Sequence, residues 1–262
     1  MRTRIQTIAN LEACLDSNEA LMDSLTPEEW GVQSLCPDWD VRGVISHLAG
    51  IEYMLSGWVP ETGETPLPFE MVGEFVSKSA EWSTEQLVSE TKSIFATRRA
   101  DLAATTDESF AAPSMTPVGP GTYHRFMDVR VFDFWVHERD ITTPLGRQTK
   151  DDGPAAECAL DEVHMSIGYI VGKKIGLPDG MSIKFNLTGP LKREVCAAVE
   201  GRAAGVEQLD DPSVVVTTDS TTFIQLACGR LDPQGPIDAG KISWDGDAEW
   251  GEKAARNLKF TM

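Results

Sequence analysis

The chain has 262 residues, 41% of them hydrophobic and 24% charged, with a formal net charge of −18. A chain of this length buries about three quarters of its unfolded surface and needs no staple to fold; it is comfortable as two domains. The acid excess repels phosphate backbones and anionic lipid surfaces, which argues against nucleic-acid and membrane partners. The five cysteines, Cys14, Cys36, Cys158, Cys196 and Cys228, are odd in number and form no C-x-x-C pair, as expected of free thiols in a reducing compartment. The first residues contain no signal-peptide apolar stretch, and no apolar run approaches the ~18–20 residues that span a bilayer. The cytoplasm is the expected location.

In chain order, residues 5–25 place Ile8, Leu11, Leu15, Leu21 and Met22 close to one helical stripe. Pro27 and its polar neighbours end that helix. Residues 40–59 are a second helix, with Asp40 as N-cap and Val41, Val44, Ile45, Leu48, Ile51 and Leu55 on one face. Residues 61–68 are expected to be a loop. Ser83 opens a capping sequence and an amphipathic helix over 83–105. The Pro/Gly-rich stretch 111–122 is expected to be a long loop, and 123–141 a long helix stopped near Pro144 and Gly146. The pattern changes after about residue 150. One helix with a Gly/Pro stop is expected over 151–180, then short strands at 181–189, 193–201 and 213–219. A helix over 220–231, a strand and turn over 240–247 and a final helix over 248–260 complete the reading. The architecture is α followed by α+β: a four-helix bundle over 1–150 and a small α+β domain over 151–262.

The segment RVFDFWVHERDI, residues 130–141, sets a carboxylate and an imidazole among large apolar side chains. A helix turns ~100° per residue, so Asp133 and His137 share a face and can grip one ion. The chain has four histidines, and a second one, His47, also lies within an amphipathic helix. Two imidazoles and one carboxylate on facing helices would leave coordination positions open, as catalysis requires. The alternatives are a simple helix-face pair for Asp133 and His137 and a satisfied core histidine for His47. By the same reasoning Trp39 and Trp135 are core residues. Glu138 and Asp140 are solvated or paired with Arg139 or Arg130. Cys36, before Pro37, packs the start of the helix, and His124 and His164 are structural or exposed.

Two motifs carry a family resemblance. SLCPDWDVRGVISHLAG, residues 34–50, resembles the Cys-Pro-x-Trp-x-Val-Arg…His-Leu signature of the mycothiol-dependent maleylpyruvate isomerase family, which is related to DinB-like bundles. RVFDFWVHERDI resembles its second signature, Arg-x-x-(Glu or Asp)-x-x-(apolar)-His-x-x-Asp. Residues 211–231 and 240–258 resemble the sterol-carrier-like C-terminal domain attached to such bundles. The resemblance implies that His47, Asp133 and His137 are ligands of a divalent metal, commonly zinc, with Asp133 where the known isomerase pattern has Glu. The shorter side chain requires the helices to approach more closely or the ligation to change. The implied thiol partner is mycothiol, a sugar-linked cysteine derivative of actinobacteria.

A thiol on such a metal loses its proton and becomes a strong nucleophile. It can add to a cis-alkene and leave after rotation, or displace a group from an electrophile. The expected function is therefore a metal-dependent, mycothiol-using isomerase or S-transferase acting on a small electrophile. Arg42 and Arg130 are candidates to orient a substrate carboxylate, with ordinary salt bridging as the alternative. Arg230 is a candidate from the second domain. The rival readings are a metal-binding DinB-like protein without turnover and a carrier of small apolar ligands.

Overall fold

Thr3, Asp40, Ser83 and Thr122 each turn a side-chain oxygen onto the backbone N–H three residues ahead, and each starts a helix. Such caps satisfy donors that the first helical turn leaves unpaired. The computed structural model describes residues 2–58 and 66–261. The chain divides into two units, Met1–Thr149 and Lys150–Met262.

In the first unit, α1 (Arg4–Ser24), α2 (Val41–Leu55), α4 (Thr84–Ala103) and α6 (Tyr123–Thr142) form a four-helix bundle. α1 and α2 each pack on both α4 and α6. Leu11, Leu15, Leu48, Leu55, Phe95, Phe126 and Phe134 are among the side chains sealed in its core. Between α2 and α4 lies α3 (Glu70–Ser79), which the sequence reading passed over. Its apolar Val72 and Phe75 lie one turn apart and pack over Gly50 of α2. The loop expected over 61–68 falls for the most part outside the described residues.

The expected long loop over 111–122 is instead a short helix end followed by a hairpin. α5 (Asp107–Ala111) leads into β1 (Pro113–Thr116), which pairs antiparallel with β2 (Gly119–Thr122). The Thr116 hydroxyl closes the turn by accepting from Val118 N and donating to the Gly119 carbonyl. Proline is tolerated here because the two-stranded ribbon consists of edges only.

The second unit carries a five-stranded sheet in the order β5-β4-β3-β6-β7, built from β3 (Ser182–Thr188), β4 (Arg193–Glu200), β5 (Arg202–Val206), β6 (Val214–Asp219) and β7 (Ile242–Gly246). β3 and β6 are parallel and the other pairs antiparallel. The single helix expected over 151–180 is broken. α7 (Pro154–Met165) stops at Ser166, a short turn α8 (Ile167–Tyr169) follows, and a π-helical turn over Ile170–Ile175 ends at left-handed Gly176. The break brings the chain hard against β5: a Cβ on Gly168 would lie 3.1 Å from the Ala203 carbonyl oxygen. α9 (Ser220–Ala227), α10 (Gln234–Asp238) and α11 (Ala248–Arg256) complete the unit. Among the described residues, no helix is long and apolar enough to cross a membrane.

Candidate metal centre

α2 and α6 bring the three expected ligands together. Asp133 and His137 stand one turn apart on α6, with His137 Nε2 3.5 Å from Asp133 Oδ1. His47 comes from α2, its Nε2 4.0 Å from Asp133 Oδ2. The two imidazoles meet edge to face with centroids 5.1 Å apart. One donor atom from each of the three residues lies within 4.8 Å of the others. With the shorter aspartate in this position, its carboxylate still lies within 4.8 Å of a nitrogen of each imidazole.

The segment before α2 adds residues that the sequence did not place here. Gln33 Nε2 donates to the carbonyls of Cys36 at 2.7 Å and Trp39 at 2.8 Å, folding residues 33–40 into a tight loop. Leu35 N–H donates to the Asp140 carbonyl of α6 at 3.0 Å. Trp39, expected in the core, is half-buried and stacks on His47, with centroids 4.6 Å apart and planes 29° from parallel. Gly43 makes room for it, since a Cβ there would lie 3.0 Å from Trp39 Cβ. Asp140 is fully buried rather than solvated. Its Oδ2 lies 2.8 Å from His137 Nδ1 and accepts from Cys36 Sγ at 3.1 Å. Cys36 packs the helix start as expected, and it also lies 3.7 Å from His137 Nδ1, a contact between residues far apart in sequence. The second signature contained the only hint of Asp140, its position three residues after His137.

Behind these three side chains lies a buried ionic network. Glu52 of α2 accepts from Arg98 Nε of α4 at 2.8 Å and from Arg130 Nε of α6 at 2.9 Å. Arg130 Nη1 in turn donates to Asp133 Oδ2. A buried charge is tolerable only when paired in this way. Burial works against the Asp133 charge, but His137, Arg130 and His47 outweigh it and hold the carboxyl well below the usual carboxylate range. Burial also opposes a charged His137, yet Asp133, with hydrogen bonds to Asp133, Asp140 and Cys36, raises its pKa well above the ordinary imidazole value. The pocket among these side chains therefore favours a positive charge of the kind a divalent ion would supply. Two nitrogens and one oxygen, with Asp133 Oδ1 left facing His137 while Arg130 holds Oδ2, fit such an ion.

The other expected residues lie as follows. Arg130 is sealed in the core against the Phe134 ring, 4.8 Å from its centroid, and holds the Asp133 carboxylate. Arg42 Nη2 donates to the carbonyls of Ser79 and Trp82, both at 2.7 Å, tying α2 to the α3–α4 connection. Arg230 lies in the second unit, where Nη1 donates to the Cys228 carbonyl at 2.9 Å. His124 is structural, 2.9 Å from the Thr7 hydroxyl. His164 is part-buried, and burial and Arg193 lower its pKa. Glu138 pairs with Arg139 at 3.0 Å, and Trp135 is core, covered by the Arg139 guanidinium 3.6 Å from its ring centre.

Comparison with known proteins places this geometry in context. Residues 11–142 match the family described as "Mycothiol maleylpyruvate isomerase N-terminal domain", and residues 157–253 match "MDMPI C-terminal domain". A crystal structure of the mycothiol-dependent maleylpyruvate isomerase is similar at 16% identity with a TM-score of 0.62. A histidine-to-alanine mutant of the mycothiol-dependent maleylpyruvate isomerase is similar at 17% identity with a TM-score of 0.65. Each covers 95% of this chain and 98% of its own, so the likeness of fold extends over both units. Comparison with curated proteins gives no match.

Proposed function

The chain belongs to the mycothiol maleylpyruvate isomerase family, and from that premise we propose that it is a metal-dependent, mycothiol-using enzyme acting on a small electrophile, by isomerisation or S-transfer. We assign His47, Asp133 and His137 as ligands of a divalent ion, with zinc the natural occupant of a two-imidazole, one-carboxylate set. The observation that carries the assignment is the convergence of these three donors within 4.8 Å from two facing helices.

When bound, the ion supplies Lewis acidity that lets a thiol ionise near neutral pH. The chain does the rest. The ligand set carries a single negative charge, so it leaves the ion net positive. Arg130 holds Asp133 by one oxygen and keeps the other available. Trp39 covers one face of His47 and excludes water from it. Arg42 acts on the scaffold through the carbonyls it ties. Specificity for an anionic substrate has to be local, since a net charge of −18 repels anions at a distance. The five cysteines stand as free thiols, all buried, which supports a reducing cytoplasm.

Elemental analysis of protein purified without chelator tests the assignment. About one zinc per chain is expected in the wild type and far less in His47→Ala. Full stoichiometry and unchanged affinity in His47→Ala would overturn the ligand set.

A further inference from the structure

Both imidazoles of the centre are backed by one short loop, residues 33–40. Trp39 from its end stacks on His47, and Cys36 from its middle meets Asp140 behind His137. We propose that Asp140, clamped by the Cys36 thiol, is a positioning residue that fixes which way His137 faces, with Nδ1 turned to Asp140 and Nε2 to Asp133 and His47. The proposal deepens the metal reading above and rests on it for its consequence, not for its geometry.

An imidazole ring can flip about its Cβ–Cγ bond and exchange its two nitrogens, so a histidine that must present Nε2 needs a partner for Nδ1. Asp140 is that partner at 2.8 Å, and it is wholly buried. Asp140 Oδ2 takes a second donor, Cys36 Sγ at 3.1 Å, which fixes the oxygen on the side of the carboxylate that faces the ring. Cys36 is itself held. Its N–H donates to Ser34 Oγ at 3.0 Å, and its carbonyl accepts from Gln33 Nε2 at 2.7 Å and from Trp39 N–H at 3.1 Å. Pro37 restricts Cys36 to an extended backbone, which keeps the residue out of the helix and the thiol directed at α6. The Leu35 N–H bond to the Asp140 carbonyl, at 3.0 Å, fixes the same loop to the same residue from the backbone side. The chain from Gln33 through Cys36 and Asp140 to His137 therefore consists of direct contacts.

The test uses the full chain and zinc. Zinc affinity is measured by competition with a chromophoric chelator for the wild type, Asp140→Asn, Cys36→Ala and Cys36→Ser, with helical circular dichroism as the control for folding. Loss of such a backing carboxylate weakens metal affinity by about 10–100-fold, and that loss is expected for Asp140→Asn. Cys36→Ala should fall between it and the wild type, and Cys36→Ser, which keeps a donor for Asp140, should recover most of the difference. The ring-nitrogen NMR signals of the metal-free protein supply a readout independent of zinc: with four histidines in the chain, the Nδ1 signal of His137 should move most in Asp140→Asn. Wild-type zinc affinity together with an unmoved His137 signal in Asp140→Asn would overturn the proposal. A wild type that binds no zinc, with a His137 signal that still moves in the variant, would overturn the metal reading and support the positioning role.

Discussion

Glu52 shows how much a single buried side chain organises. It carries a negative charge in the centre of the bundle, 2.8 Å from Arg98 and 2.9 Å from Arg130. Burial alone would raise its pKa, but the two guanidiniums outweigh burial and hold it below the ordinary glutamate value. A carboxyl whose folded pKa is lowered contributes stability that is fully present above the unfolded value, about 4.3, and is lost as pH falls through the folded value. Glu52→Gln leaves both arginines without their counter-charge, and removing one partner of a buried ion pair costs about 3–5 kcal/mol. Thermal melts should therefore show a much lower Tm for Glu52→Gln at pH 7 and a gap that narrows below about pH 4. A gap independent of pH would show that Glu52 acts through shape rather than charge. The sequence displayed the candidate ligands better than it displayed this network. His47, Asp133 and His137 follow helical spacing and two local motifs, whereas Glu52, Arg98 and Arg130 come from three helices and only the packed bundle joins them. The burial of Asp140 and its contact with Cys36 are hidden for the same reason: a carboxylate among charged neighbours reads as solvated until the 33–40 loop is seen to cover it.

At the scale of elements, the long amphipathic helices were legible because one face of each is apolar at a period of 3.6 and because Asp40 and Ser83 cap them by local chemistry. Short elements defeated that reasoning. The hairpin of β1 and β2 has four residues per strand and is rich in proline and glycine, so no alternation reveals it. α3 has ten residues, and its packing on α2 stabilises it where its own length is marginal. The break between α7 and the π-helical turn is a tertiary effect. Gly168 and Gly172 continue a helical pattern in sequence, and it is the approach of β5 that requires them to lack side chains. Gly43 is the counterpart at the centre. One turn before His47 on α2, it lets the preceding loop lay Trp39 on the imidazole.

For the molecule as a whole, the proposed ion would be an addition to a fold whose core does not depend on it. The bundle core is made by apolar side chains from four helices, unlike a small domain that folds only around its metal. A ligand present at 100 times its Kd stabilises by about 2.7 kcal/mol through mass action. Chelation should thus lower Tm by several degrees and leave helical circular dichroism intact at room temperature; collapse of the helical signal on adding chelator would mean that the metal holds the bundle. Activation of a thiol at the proposed centre is tested most directly by turnover of maleylpyruvate and of a small panel of electrophiles, each with and without mycothiol and with glutathione as the comparison thiol. Turnover should need both zinc and thiol, run faster with mycothiol than with glutathione, and disappear in Asp133→Ala. A fully zinc-loaded chain that shows no thiol-dependent turnover across the panel, while binding apolar ligands tightly, would contradict it.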